Sequence, residues 1–117
     1  MIYSMYNELP LLYSGHNKNI TKKTWVTKGV IPNVIQVSHS VVPPGEQCGL
    51  HAHDDMHELF LVEQGRGMMM VDGFATEISR GDSMVINPRE SHALMNPYKE
   101  ELRVVVMGIL SSASSVV

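Results

Sequence analysis

Turn-forming residues interrupt short apolar runs along most of this sequence. The run Val34–Val42 ends at Pro43-Pro44-Gly45, and residues 68–71 end at Asp72-Gly73, a pair typical of β-hairpin turns. Further interruptions fall at Gly65, Gly81 and Asn87-Pro88. The intervals are about 8–12 residues, which is the strand spacing of an antiparallel sandwich or barrel. Because no stretch from 30 to 110 shows sustained helical periodicity, we expect an all-β domain.

The composition fits a single folded domain. A length of 117 residues is typical of one domain, and an apolar content of 44% is enough for one packed core. Charged residues make up only 18%, whereas disordered chains are rich in charge and poor in apolar residues. The sequence does not open with a basic region followed by an apolar stretch, and its longest run free of Asp, Glu, Lys, Arg and His, 104–117, is shorter than the roughly 20 residues of a membrane helix. We therefore expect no membrane partner.

Charge and cysteine content narrow the expected partners and location. The net charge is −3, and residues 43–117 carry five basic against eleven acidic side chains. An acidic body does not attract nucleic acid in bulk, so no nucleic-acid partner is expected. The single cysteine, Cys48, cannot form an intramolecular disulfide, which is typical of a reducing compartment. A cytoplasmic location is therefore expected.

The chain divides into three expected segments. Residues 1–30 have the weakest β pattern, and we expect them to form an arm or one or two strands at a dimer edge, since small β domains often protect sheet edges by pairing. Residues 31–110 hold the expected barrel. Residues 111–117 are rich in serine, and we expect them to form a loose C-terminal tail.

Histidines are clustered, with three of the six falling within seven residues. His51 and His53 are two residues apart, which on a strand puts both imidazoles on one face, where they can reach one cation. Asp54-Asp55 then favours a turn, and Glu58 begins the next apolar run. Two isolated histidines are interpreted as structural residues: His16 and His39.

Residues 45–65 resemble the first sequence motif of the cupin family. That motif is a glycine, five residues, His-x-His, three or four residues, a glutamate, six residues and a glycine. Every fixed position is met between Gly45 and Gly65. A chance match to so many fixed positions is rare, which makes this motif specific.

A second cupin motif is only partly matched. It runs from a glycine through a proline and an inner glycine to a histidine, and then to an asparagine four positions on. Gly81, His92 and Asn96 have the expected separation. The proline stands one position late, at Pro88, and Arg89 replaces the inner glycine. These departures bear on the shape of the loop before His92.

The resemblance covers about residues 35–110 and implies a double-stranded β-helix, a small jelly-roll barrel. It implies one divalent transition metal per chain, held inside the barrel by four side chains: His51, His53, Glu58 and His92. Such a donor set suits several ions, among which the sequence does not choose: Fe, Mn, Ni, Co, Cu or Zn. Small single-domain cupins usually form homodimers, so a homodimer is also implied.

One ligand position stays open at this point. The motif allows three or four residues between His53 and its acidic ligand, and three would make His57 the ligand in place of Glu58. The fixed step of six residues to Gly65 favours Glu58. In that register His57 points away from the metal.

Side-chain alternation suggests further residues of a substrate pocket. If His51 and His53 point inward, the alternation of side chains along a strand predicts that Gln47 also points inward and Cys48 outward. Phe60 would share the inward face with Glu58. Leu94 and Asn96 would share the face of His92, and Arg103, at the start of an apolar strand, could bind an anionic substrate bidentately.

The expected function follows from a metal with open coordination positions. We expect a metal-dependent enzyme that acts on a small polar organic substrate chelated by the metal, with dioxygenase-type chemistry favoured. Isomerase, cyclase or decarboxylase chemistry is an alternative, because one fold supports many reactions. The other alternative is a non-catalytic protein that binds or senses a small molecule, since no protein acid–base pair is evident beside the motifs. No catalytic side chain is therefore assigned.

Overall fold

A computed structural model of the chain describes residues 1–15 and 17–111, so His16 and the expected loose tail after Ser111 lie outside the described residues. After a short 3₁₀ helix at Tyr6–Glu8, nine strands follow: β1 Leu12–Tyr13, β2 Thr21–Val26, β3 Val34–Val42, β4 Met56–Gln64, β5 Arg66–Val71, β6 Phe74–Ser79, β7 Ser83–Ile86, β8 His92–Met95 and β9 Leu102–Leu110. None of the helices in this part of the chain has the length and apolar character needed to cross a membrane.

The strands form two antiparallel sheets. The larger sheet has the order β1-β2-β3-β9-β4-β7, and the smaller has the order β6-β5-β8. The last strand, β9, lies between β3 and β4, so strands distant in sequence pair side by side. This arrangement confirms the expected all-β class and is consistent with a double-stranded β-helix.

The core lies between the two sheets and follows from strict side-chain alternation. On β4, Phe60 and Val62 are buried, whereas Leu61 between them is exposed. On β9, Leu102 and Val104 are completely buried. Because successive strand residues point to opposite faces, each apolar run buries every second residue in the same core.

The first 30 residues contribute two strands to the edge of the larger sheet. β1 pairs with β2, and β2 pairs with β3. On the outer face of β3, the His39 ring bonds Tyr6 Oη at 3.0 Å and Glu63 Oε1 at 3.1 Å, and it stands edge-on to Trp25. His39 is 3% exposed. The structural interpretation of this histidine is therefore confirmed.

Two predicted turns have the backbone that their residues favour. Asp72 and Gly73 have φ values of 47° and 87° between β5 and β6, as a tight hairpin turn requires. Gly65, between β4 and β5, has φ of 86°. A Cβ at Gly65 would overlap the backbone carbonyl of Glu101, whereas a Cβ at Gly73 would meet nothing within 4 Å.

Gly65→Ala should therefore destabilise the fold much more than Gly73→Ala. Both substitutions place alanine at positive φ, which costs about 1–2 kcal/mol. Only Gly65→Ala adds a backbone overlap, worth a further about 1–3 kcal/mol. Urea unfolding of the two variants measures the difference. Equal losses of stability would show that the chain does not pass close to Glu101 at this turn.

Candidate metal centre

Two separate segments bring the predicted ligands together. His51 lies in the loop before β4, and His92 begins β8. Their backbones form an isolated antiparallel bridge in which His51 N–H donates to His92 O at 3.0 Å and His92 N–H donates to His51 O at 2.8 Å. Glu58 reaches the same place from β4, as part of the inward row that includes Phe60.

The four side chains form one compact group. One donor atom each from His51, His53, Glu58 and His92 lies within 4.8 Å of all the others. Glu58 Oε1 lies 2.8 Å from His92 Nε2 and 3.2 Å from His53 Nε2. The ring centroids of His51 and His92 are 4.3 Å apart. Glu58 and His92 are buried, while the other two rings are half-buried.

Backbone carbonyls orient two of the rings. His51 Nδ1 lies 2.8 Å from Gly49 O, and His92 Nδ1 lies 3.0 Å from Glu90 O. A carbonyl oxygen only accepts, so both Nδ1 atoms carry protons and the Nε2 atoms are directed to the centre of the group. This is the arrangement in which a histidine offers Nε2 to a metal.

Glu58 and His92 each favour the charged form of the other. Burial alone would raise the pKa of Glu58, but the hydrogen bond from His92 and the nearby charge of His53 lower it below its usual 4.5. Burial alone would lower the pKa of His92, but hydrogen bonds to Glu58 and to the Glu90 carbonyl raise it above its usual 6.5. The Nε2 proton of His92 thus occupies the position where a cation would bind between these two groups.

The donor set fits a divalent transition metal. Bonds of about 2.0–2.2 Å from imidazole and carboxylate donors place pairs of ligand atoms about 3–4.4 Å apart, so the observed group needs to contract only slightly. Three imidazoles and one carboxylate are borderline donors that suit first-row transition ions better than Ca²⁺ or Mg²⁺. Four protein donors leave further positions for a ligand on an ion that takes five or six.

His57 does not belong to this group. Its Nδ1 lies 3.2 Å from Asn87 Oδ1, on the side of β4 away from Glu58. The four-residue spacing of the motif, with Glu58 in the acidic position, therefore describes the geometry of this chain. The alternative with four histidines does not.

Arg89 stands where the second motif has its inner glycine, and its backbone adopts a conformation that glycine favours. Its φ is 69°, in the left-handed region, and its N–H donates to His53 O at 2.6 Å. The loop before His92 is therefore bonded directly to the segment that carries His53. The departure at Arg89 costs some backbone strain but leaves His92 directed at the other ligands.

A cavity of about 260 Å³ opens beside the four side chains. Of the five residues expected in a substrate pocket, Phe60 and Leu94 line it. The other three are not among the described residues that line it: Gln47, Asn96 and Arg103. The lining also contains Cys48, which side-chain alternation had turned outward.

An irregular segment explains the difference at Gln47 and Cys48. Gln47 pairs with Met95, and His51 pairs with His92. Between these two bridges the chain advances four residues on the first segment but only three on the second, so the first segment contains one extra residue. One extra residue reverses the alternation between these bridges. As a result Gln47 is exposed and Cys48 faces the cavity.

The other two residues have structural partners. The buried Asn96 amide donates to Val42 O at 2.9 Å and to Glu100 O at 2.7 Å, which fixes the loop after β8. Arg103 pairs with Glu101 at 3.1 Å. Neither side chain is directed to the metal centre, so an anion-binding role for Arg103 has no support in this geometry.

Sequence reasoning missed a polar wall on the opposite side of the cavity. Lys22 on β2 and three residues of β3 line it: Gln36, Ser38 and Ser40. The sequence contains a signal for this wall, because polar residues occupy every second position of the otherwise valine-rich strand β3. Such alternation indicates that one face of β3 is polar, but not that this face is the inner one.

The fold and the site define a class: β-barrel proteins with a cluster of three histidines and one carboxylate inside the barrel. The sequence model of the family described as Cupin domain matches residues 38–108 of this chain. The chain belongs to the cupin family.

Three similar proteins illustrate the range of the comparison. An uncharacterized protein of Methanocaldococcus jannaschii is 27% identical over 92 residues, which are 74% of each chain. A Thermotoga maritima protein named oxalate-binding protein is 30% identical over 69 residues, which are 59% of this chain and 57% of the other. A crystal structure described as a predicted oxalate decarboxylase from Thermotoga maritima has a TM-score of 0.84 at 21% identity, covering 91% of this chain and 96% of that one.

His51→Ala and Glu58→Gln should each lower the affinity for Ni(II) at least about tenfold, because each removes a donor from the group. His57→Ala should change it less than about threefold, since His57 contacts Asn87 instead. Isothermal titration calorimetry measures the affinities, and thermal unfolding checks that each variant is folded. A larger loss in His57→Ala than in Glu58→Gln would assign the acidic ligand position to His57.

Proposed function

We propose that this protein binds one divalent transition metal through His51, His53, Glu58 and His92, and that a small polar organic molecule binds the metal from the cavity. The observation that carries the proposal is the convergence of four donors within 4.8 Å at the wall of a 260 Å³ cavity. This volume lies just below the range of about 300–1,000 Å³ typical of drug-sized ligands, which favours a small one.

The residues of the chain have distinct roles in this proposal. The Gly49 and Glu90 carbonyls orient His51 and His92, and Glu58 supplies the negative charge that balances part of the cation charge. Phe60 and other apolar side chains exclude water from one side of the cavity, which strengthens electrostatic interactions there. When bound, a redox-active ion such as Fe(II) supplies the capacity to polarise a chelated ligand and to activate dioxygen.

We favour an enzyme with dioxygenase-type chemistry. Among the described residues that line the cavity, the only carboxylate belongs to Glu58, which the metal would engage. A mechanism that needs a separate pair of protein carboxylates therefore lacks its residues, whereas chemistry on a metal-chelated substrate does not need them. Isomerase, cyclase or decarboxylase chemistry is less favoured, although a similar structure is described as a predicted oxalate decarboxylase.

A non-catalytic function is the second candidate. The same lack of a further carboxylate in the described lining favours a protein that binds or senses a small carboxylate without turnover. A similar protein from Thermotoga maritima is named oxalate-binding protein, which is consistent with this alternative.

Protein purified without chelator should carry about one equivalent of a transition metal per chain. The Fe(II)-loaded protein should consume dioxygen with at least one member of a panel of diketones, catechols and hydroxy acids, and Glu58→Gln should abolish this uptake. Elemental analysis and an oxygen electrode measure both results. Metal-dependent ligand binding without oxygen uptake would favour the non-catalytic function, and failure to bind any metal would contradict both.

We further infer that the strands of residues 1–30, which extend the larger sheet of the barrel, form a homodimer edge. β1 is the edge strand of the larger sheet, and Leu12 and Tyr13 on it are exposed. An edge strand with apolar side chains is a template for pairing with a second copy.

The single free thiol, Cys48, is also in keeping with a reducing compartment such as the cytoplasm.

Light scattering should give twice the 13.0 kDa mass of the chain. Tyr13→Glu should shift the protein toward the monomer, because it places charge on the proposed edge. Phe74→Glu is the matched control, since Phe74 is an exposed aromatic side chain on the smaller sheet. A monomeric mass for the unmodified chain would contradict the inferred dimer.

A further inference from the structure

The inner face of β3 is polar, although it lies in the interior of a barrel. Gln36, Ser38 and Ser40 occupy successive inward positions and line the cavity beside the metal centre. Facing positions on β9 are apolar, with Val106 beside Ser38 and Val104 beside Ser40. Ser38 is buried and Gln36 and Ser40 are half-buried, so their polar groups are unfavourable there unless they find partners.

A chain of hydrogen bonds fixes the direction of the Gln36 amide. Thr24 Oγ1 and Ser38 Oγ are 2.8 Å apart, Ser38 Oγ donates to Gln36 Oε1 at 2.8 Å, and Lys22 Nζ lies 3.5 Å from the same oxygen. Because a lysine ammonium only donates, the amide atom that faces it is the oxygen. The Gln36 NH₂ group then remains as a donor, and no partner for it occurs among the described residues.

Lys22 is a cation without a counter-charge in this wall. No carboxylate of the described residues forms an ion pair with it, and its ammonium keeps donors beyond the contact to Gln36. Its neighbour Lys23 faces the other side of the sheet, where Nζ donates to Tyr6 O at 3.1 Å. The lysine and the Gln36 amide therefore present only hydrogen-bond donors to the cavity.

The polar wall lies across the cavity floor from the metal centre. Gln36 and Glu58 both pair with Gly108, which has no side chain, so they occupy one row across three strands. Two strand spacings of about 4.8 Å separate their backbones, and both side chains extend into the cavity. A ligand with a few carbon atoms between two polar ends can span this separation.

The charges of the cavity lining indicate the charge of the ligand. Lys22 and Glu58 are the cationic and anionic side chains of the described lining, apart from the histidines. With a divalent ion bound and the histidines neutral, the cavity would carry two positive charges. A ligand with two negative charges balances them, and one with a single charge does not.

We propose that Lys22 and Gln36 form a second anion-binding subsite, so that the ligand is a small dianion with one end on the metal and a second carboxylate on Lys22. The inference rests on the proposed function, because the metal binds the first end. Beyond that function, the second subsite specifies the length and the charge of the ligand. Oxalate, whose two carboxylates are joined directly, is too short to use both ends of the cavity.

Calorimetry on the Ni(II)-loaded protein tests this with three probes. 2-Hydroxyglutarate has a chelating end and a distal carboxylate, 2-hydroxypentanoate has a methyl group in place of that carboxylate, and oxalate has only the chelating part. We expect 2-hydroxyglutarate to bind at least about tenfold more tightly than 2-hydroxypentanoate, as expected for a charge-assisted hydrogen bond. Lys22→Met should remove most of this preference, and Lys22→Arg should retain it.

Two controls separate this subsite from the metal centre. Lys22→Met should change the affinity for oxalate less than about threefold, and Lys23→Met, which removes the same charge from the opposite face, should keep the preference for 2-hydroxyglutarate. If oxalate binds in a metal-dependent way but the two hydroxy acids bind equally, the subsite is wrong and the proposed function stands. If no probe binds in a metal-dependent way, both are contradicted.

Discussion

The reciprocal backbone pairing of His51 and His92 is the interaction on which the site depends. Two hydrogen bonds of 3.0 and 2.8 Å join a loop before β4 to the start of β8. Further bonds hold the same loop, from Cys48 N–H to Leu94 O at 2.9 Å and from Arg89 N–H to His53 O at 2.6 Å, and the bridge sets the His51 backbone directly opposite His92. With it, three imidazoles meet the carboxylate that β4 presents from the opposite sheet.

Burial and charge favour the binding of a cation at this cluster of side chains. Glu58 is buried, and an isolated carboxylate there would be strongly disfavoured. His92 compensates by donating a hydrogen bond of 2.8 Å, while its own Nδ1 is held by the Glu90 carbonyl. A divalent ion can replace the shared proton and satisfy both groups at once, which couples metal binding to proton release.

The sequence predicts the cluster of candidate ligands and the strands better than the rest of the cavity. Glu58 and Phe60 were placed on one face correctly because β4 is regular and alternation holds along it. Alternation fails between Gln47 and His51, where one extra residue reverses the faces, and such a bulge leaves no signature in a single sequence. Lys22 was not recognised because its role depends on β2 folding over the cavity, which is a tertiary feature.

Anomalous X-ray diffraction from crystals grown with Mn(II) is the decisive test of the four-residue metal site, because it locates the ion without assuming its ligands. We predict one strong peak per chain, at about 2.0–2.3 Å from donor atoms of His51, His53, Glu58 and His92. A peak bound elsewhere, or one that leaves Glu58 and His92 bonded to each other, would contradict it.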